Sequence, residues 1–321
     1  MKTDSRDLID SQLLELLQDL PAMTIKAETL AEWRTKSAIS VGPPSLDAAA
    51  LAVVAATKLV RGPRGAPEVR LRLYHPPHGL SPSGCVYHIH GGGFVSGEAA
   101  ECEPLHRRLC ADLGCVIVSV DYRLAPETAF PGNIEDCYAG LEWLFTHAAE
   151  LGVDPRRIGV MGESAGGGLA AALALLARDR GMFGLAFQHL TYPMLDDRTC
   201  ATAEPHPFTG EWVWTTENNY FGWSALLGHA PGLEDVSPYA APARAATLAG
   251  LPPTFISTAA LDLFLEEDME YARRLSRAGV PVELHVYPGA FHGFDLDPAA
   301  TVACAARRDG FSALQRFLTV A

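Results

Sequence analysis

Gly162-Glu163-Ser164-Ala165-Gly166 stands between a short apolar run, residues 158–161, and an Ala/Leu-rich run, residues 165–178, that is almost entirely apolar. A strand feeding straight into a helix through so few residues forces a sharp turn, and glycines two places before and after the serine remove the side chains that would collide there. Both flanking runs lack a polar face, so each must be covered on all sides. That restricts the chain to a sheet layered between helices, with the Ser164 hydroxyl lifted above the sheet at a helix N-terminus. The competing reading of this string by itself is an ordinary glycine-rich strand-helix turn.

The rest of the chain fits the same plan. Short apolar or alternating runs at residues 69–74, 86–89, 116–120, 158–161, 187–192, 254–258 and 282–287 read as strands. Helical runs at residues 133–150, 165–178, 266–278 and 299–318 alternate with them. The pattern predicts an α/β fold with a mostly parallel central sheet and helices on both faces. Near the start, Ile9, Leu13, Leu16, Leu17 and Leu20 recur at helical spacing and Pro21 stops them, so a short N-terminal helix with one apolar face is expected. Gly/Pro-rich passages at 41–44 and 61–67 follow it. Residues 196–247 break the alternation: they are rich in Pro, Gly and aromatics, including Phe208, Trp212, Trp214, Tyr220, Phe221 and Trp223, and hold no strand candidate. Lying between two core strands, they read as an excursion above the sheet.

With 321 residues, 48% of them hydrophobic, the chain can bury a large core in one main domain. A formal charge of −13 without any basic block argues against nucleic acid or anionic membrane as partner. No apolar run is long enough to span a bilayer, and Met1–Asp7 lacks the basic-then-apolar layout of a signal peptide, so a cytoplasmic chain is expected. The seven cysteines (Cys85, Cys102, Cys110, Cys115, Cys137, Cys200, Cys304) never form a C-x-x-C pair, which suggests neither a disulfide framework nor a zinc site.

An aliphatic hydroxyl needs a base, and the base needs an acid to orient it. His292, in Gly289-Ala290-Phe291-His292-Gly293-Phe294, follows the last strand candidate, where a parallel sheet places its site. Asp262 holds the equivalent place after residues 254–258, whereas Glu266, Glu267 and Asp268 fall in the first helical turn, where acids answer the helix dipole. His90-Gly91-Gly92-Gly93-Phe94 directly follows the strand at 86–89. Such a loop can turn backbone N–H groups toward a ligand, an oxyanion or a phosphate. No G-K-[ST] follows it, so the N–H groups of Gly92, Gly93 and Ala165 are the expected oxyanion donors. Phe94, Tyr192, Trp212, Trp214 and Phe291 are candidate pocket walls by position.

Together with Asp121-Tyr122-Arg123-Leu124-Ala125-Pro126-Glu127 and Ser237-Pro238-Tyr239-Ala240, these stretches resemble the hormone-sensitive-lipase family of esterases, the bacterial family IV, over residues 84–294. The resemblance implies an α/β-hydrolase that cleaves short- to medium-chain acyl esters through an acyl-enzyme on Ser164, with Asp262 and His292, without metal or cofactor. It assigns the His90–Gly93 loop to the oxyanion hole, and it implies a helical cap from 1–45 and 196–247 over a catalytic domain of 46–195 and 248–321. A two-fold dimer through the sheet edge at 282–287 is a further expectation from the family. Two positions depart from its pattern: Glu163 stands for the usual Asp, and Leu263 for the usual Pro. The same triad serves amide, thioester and lactone hydrolysis. Non-catalytic small-molecule receptors also use the fold, but those resembling the family typically lose the histidine.

Overall fold

Eight strands form a single twisted sheet, and their order explains where the chemistry sits. In the computed structural model, which describes residues 5–20, 24–36, 42, 45–77 and 82–319, the strands are β1 (Val54–Val60), β2 (Val69–His75), β3 (Ser83–Ile89), β4 (Val116–Asp121), β5 (Val153–Glu163), β6 (Gln188–Thr191), β7 (Thr254–Ala259) and β8 (Val282–Tyr287). Their order across the sheet is β1-β2-β4-β3-β5-β6-β7-β8. The first two pairings, β1 with β2 and β2 with β4, are antiparallel; all others are parallel. The C-terminal ends of β3, β5, β7 and β8 therefore point the same way, and the loops that leave them meet above one edge of the sheet.

The helices are α1 (Leu16–Asp19), α2 (Leu30–Lys36), α3 (Ala48–Leu51), α4 (Glu103–Leu113), α5 (Gly132–Thr146), α6 (Ala165–Arg180), α7 (Thr216–Leu227), α8 (Leu265–Arg277) and α9 (Thr301–Thr319). Helix α6 is buried from Ala165 through Ala177. Its small side chains let it lie close over β5, β6 and β3, and Gly181 in the left-handed conformation ends it. Strands β3 and β7 are likewise covered on both faces and buried at every position. All seven cysteines are unpaired, and five of them are buried. No helix among the described residues is long and apolar enough to cross a membrane.

Each strand expected from the sequence is present. The structure adds β1, whose first six residues are exposed. It pairs only with β2 at the edge of the sheet, so water demands no apolar pattern of it. The N-terminal leucines do not make one helix. They form short turns at Arg6–Leu8 and Ser11–Leu13 before the single turn of α1. Asp10 is the cause: its carboxylate accepts from Gln12 N–H, while its own N–H donates to Gly289 C=O at 2.9 Å, so the chain follows the loop after β8 instead of coiling on itself. Pro21, most of the 41–44 passage and Met1–Asp4 lie outside the described residues.

Residues 196–247 hold no strand and one long helix, α7. The N-terminal segment packs on this excursion. Ser5 donates to Glu211 through both its N–H and its hydroxyl, Trp212 Nε1 donates to Ser5 Oγ at 2.7 Å, and Ile25 N–H donates to Asn218 Oδ1 at 2.8 Å. Arg34 of α2 then reaches the loop after β3, donating from Nε to Val95 C=O at 2.7 Å and from its two terminal nitrogens to the Glu127 carboxylate, both at 2.7 Å.

Candidate active site

Ser164 sits between the end of β5 and the first residue of α6, with φ +56° and ψ −123°. A non-glycine residue held there is strained, and the surroundings hold it. Ser164 N–H donates to Thr191 C=O at 2.9 Å; its own C=O accepts from Met194 N–H and Gly168 N–H at 2.9 and 3.0 Å. The flanking glycines are required by space. A methyl at Gly162 would overlap the Gly166 carbonyl, and one at Gly166 would overlap the carbonyl oxygens of Ile89 and His90. Gly166→Ala is therefore expected to lower both melting temperature and turnover sharply, whereas Gly184→Ala, with open space around it, leaves both near wild type. Thermal melts and ester hydrolysis of the two variants in parallel check this; equal behaviour would refute the steric reading.

His292 Nε2 lies 3.0 Å from Ser164 Oγ, and His292 Nδ1 lies 2.7 Å from Asp262 Oδ2. Asp262 is buried, and its other oxygen accepts Phe264 N–H at 3.0 Å. The loops that carry the pair are joined by Ala260 N–H to Tyr287 C=O and Leu261 N–H to Ala290 C=O, both at 2.9 Å, so acid and histidine are set by backbone contacts between the ends of β7 and β8. The nearby acid Glu267 is used elsewhere: it accepts from Leu195 N–H, Asp196 N–H and the Thr199 hydroxyl. Burial pushes its carboxyl well up from the usual range.

The Gly91–Gly93 loop leans on the serine turn. Gly92 has φ +112° and Gly93 φ +61°. A methyl at Gly92 would strike the Ser96 carbonyl, and one at Gly93 would enter the Trp214 ring. Among the described residues, no hydrogen bond uses the N–H of Gly92, Gly93 or Ala165. His90 does not reach the serine: its ring stacks on Tyr122 at 4.3 Å, Nδ1 faces Gly91 C=O at 2.8 Å, and burial pushes its imidazole down to about 4. Tyr122 hydroxyl donates to His90 C=O at 3.0 Å, and Ala125 N–H donates to Phe94 C=O at 2.9 Å, so the 121–127 stretch braces the glycine loop. Its Arg123 forks onto Asp136 of α5, at 2.7 Å to each oxygen. Glu163 faces the buried His88, at 2.9 and 3.2 Å from Nε2, which ties the residue before the serine to β3.

Of the expected walls, Tyr192 and Trp214 bring their rings to 4.6 and 6.3 Å from that of His292. Phe94 is buried and packs edge-on against Trp223, Trp212 binds Ser5, and Phe291 is buried in a second apolar cluster; none of these three makes a ring contact with His292. Two aromatics were not singled out from sequence. Phe264 meets His292 edge-on at 5.3 Å, and its place two residues after Asp262 was the available signal. Trp33 of α2 lies 6.5 Å from Trp214, and no local pattern announces that contact. A separate groove of about 630 Å³, lined by Ile25, Tyr220 and Phe221 among others, contains none of the residues around Ser164.

A mostly parallel eight-stranded sheet with a strained serine on the turn after a central strand, and a histidine-carboxylate pair on the loops of neighbouring strands, defines an α/β hydrolase. The family model described as the alpha/beta hydrolase fold matches residues 86–296. The chain is 36% identical to carboxylesterase NlhH of Mycobacterium tuberculosis over 324 residues, covering 98% of each. It is 31% identical to an ethyl acetate hydrolase of Pseudomonas putida over 228 residues, 70% of each. Among solved structures, a bacterial heroin esterase superposes with a TM-score of 0.90 at 40% identity, over 98% of this chain and 99% of that one. The chain belongs to the hormone-sensitive-lipase family of α/β hydrolases and is a carboxylic-ester hydrolase.

Proposed function

We propose that the protein hydrolyses short- to medium-chain acyl esters through an acyl-enzyme on Ser164. The observation that carries this reading is the continuous hydrogen-bonded chain Ser164–His292–Asp262, at 3.0 and 2.7 Å, beside three backbone N–H groups without a partner in the described residues. Ser164 Oγ attacks the ester carbonyl carbon as His292 Nε2 takes its proton. The carbonyl oxygen, now an anion, is held by the N–H groups of Gly92, Gly93 and Ala165, the last at the positive end of α6. Collapse of the tetrahedral intermediate breaks the bond to the alkoxy oxygen, which leaves with the proton from His292. Water then attacks the acyl-enzyme by the same steps in reverse order, returning free Ser164 and the carboxylic acid. Asp262 keeps the proton of the neutral imidazole on Nδ1, leaving Nε2 free to accept, and offsets the charge of the imidazolium. Amides, thioesters and lactones present the same carbonyl to this machinery; the acyl ester is favoured because carboxylesterase NlhH, the ethyl acetate hydrolase and the heroin esterase are all named for ester cleavage.

The described parts of 1–45 and 196–247 act as the cap over this site, on a catalytic domain of 46–195 and 248–321. In support, the two cap segments hydrogen-bond to each other through Ser5–Glu211 and Ile25–Asn218, and Trp214 of the second stands over Gly93. Ser164 and His292 are each 7% exposed beneath it. So covered a site bounds the acyl chain, in keeping with an ethyl acetate hydrolase among the relatives. Across p-nitrophenyl acetate, butyrate, octanoate and palmitate, kcat/KM is expected to peak at acetate or butyrate and fall steeply by palmitate. A rise toward palmitate would rule out the bounded pocket.

A further inference from the structure

Beside the serine turn, where Glu163 meets His88, three metal-ligating side chains converge. His88 lies on β3, Cys102 just precedes α4, and His106 lies one turn into it, with one ligand atom from each within 4.8 Å of the other two. All three are buried: His88 and His106 are fully inaccessible and Cys102 is 3% exposed. No other trio of this kind exists among the described residues. Cys102 caps α4 four residues before His106, and the third member comes from a distant strand, so sequence spacing alone conceals the set.

His106 is the observation that points to a ligand. Neither of its ring nitrogens has a hydrogen-bond partner, although the ring is packed against Tyr74 at 5.0 Å and His88 at 4.5 Å. A fully buried imidazole with both nitrogens unpaired is costly unless something binds it. An imidazole in its neutral form has one ring nitrogen with a lone pair to give to an ion. His88 has the complementary preparation. Its two nitrogens face Glu163 at 2.9 Å and Ser119 Oγ at 3.1 Å, so whichever nitrogen it gives to an ion, the other keeps a partner that fixes the ring. Carboxylates stand beside the trio: Glu163 lies 2.9 Å from His88 Nε2, and Asp121, which faces Arg72 at 3.8 Å, accepts Ala99 N–H at 2.7 Å.

We propose that His88, Cys102 and His106 bind a zinc-class cation, a site separate from the hydrolytic chain and not needed for its steps. Two imidazoles and one thiolate are a borderline-to-soft donor set, which suits Zn²⁺ over Mg²⁺ or Ca²⁺. Ligand bonds of about 2.0–2.3 Å require the three atoms to draw closer by small side-chain rotations. Binding forms a bond from the metal to Cys102 Sγ and releases the thiol proton to solvent; no electron transfer is involved. The ion would pin the start of α4 to β3 beside Glu163.

The test uses the full chain with Zn²⁺ alone, added either to the folded protein or during refolding from denaturant, followed by gel filtration and measurement of zinc per chain. Co²⁺ loading in the same two ways reports the donor atoms through the cobalt–thiolate charge-transfer band. The expected result is one retained ion per chain, at least in the refolded arm, with the thiolate band and a raised melting temperature. Ion, band and shift should vanish in Cys102→Ala and His106→Phe and persist in Cys304→Ala, which alters the exposed cysteine. Absence of a retained ion and a thiolate band in both wild-type arms would overturn the proposal, as would an unchanged band in Cys102→Ala. The wild-type spectrum decides even if a variant does not fold.

Discussion

Ser164→Ala is expected to lower kcat for p-nitrophenyl butyrate by about 10³-fold or more while the protein keeps its fold and melting temperature. Turnover falls because, among the described residues, no other hydroxyl hydrogen-bonds to His292 Nε2, whose contact is with Ser164 Oγ at 3.0 Å. Stability is spared because the hydroxyl does little else. It makes no cap to the first turn of α6, and the strained turn is held by the Ser164 backbone through Thr191, Met194 and Gly168. Alanine carries the same Cβ and meets the same strain at φ +56°. Circular dichroism and thermal melts beside the kinetics separate the two effects. A folded variant with more than about a tenth of wild-type activity would move the nucleophile away from Ser164.

The second large effect is expected at Asp262→Asn, where kcat should fall by about 10⁴-fold through the tautomer of His292. In the native arrangement one carboxylate oxygen accepts Phe264 N–H at 3.0 Å and the other faces His292 Nδ1 at 2.7 Å. An asparagine has only one oxygen for these two donors. If it serves Phe264, the amide N–H₂ points at Nδ1 and holds the proton on Nε2, opposite Ser164, where the serine proton can no longer be accepted. If it flips, the buried Phe264 N–H faces another donor, at a cost of about 1–3 kcal/mol. The amide is nearly isosteric with the acid, so the fold survives either way. Raising the pH should recover part of the lost rate as hydroxide takes over the role of base, a response that mere loosening of the loop would not give. A variant within about tenfold of wild type would show that Asp262 does not orient His292.

Much of the site was legible because local strings dictate local backbone. Gly162 and Gly166 are demanded by the tight turn itself, so the serine proposed as nucleophile could be read between an apolar run and an apolar helix. The glycine loop after β3, and the positions of Asp262 and His292 after β7 and β8, followed from the rule that parallel strands present their sites at one end. The strands buried on both faces show as short runs rich in apolar and β-branched residues, and those were readable; β1, exposed at the sheet edge, was not. The leucines of 9–20 carried a helical spacing, yet their side chains answer to the apolar cluster around Phe291, and the backbone bends to deliver them there.

What the chain alone determined, then, was the alternation of the buried strands with helices, the reaction class and the places in the sequence of the three residues joined from serine to carboxylate. Tertiary structure decided the partners. Arg123 meets Asp136, Glu163 meets His88, Trp33 meets Trp214, and His106 is left without a partner beside Cys102. A turn is encoded by the few residues that compose it, because sterics act over neighbouring bonds. A contact between side chains far apart in sequence depends on how every intervening layer packs, and no short stretch of residues carries that information.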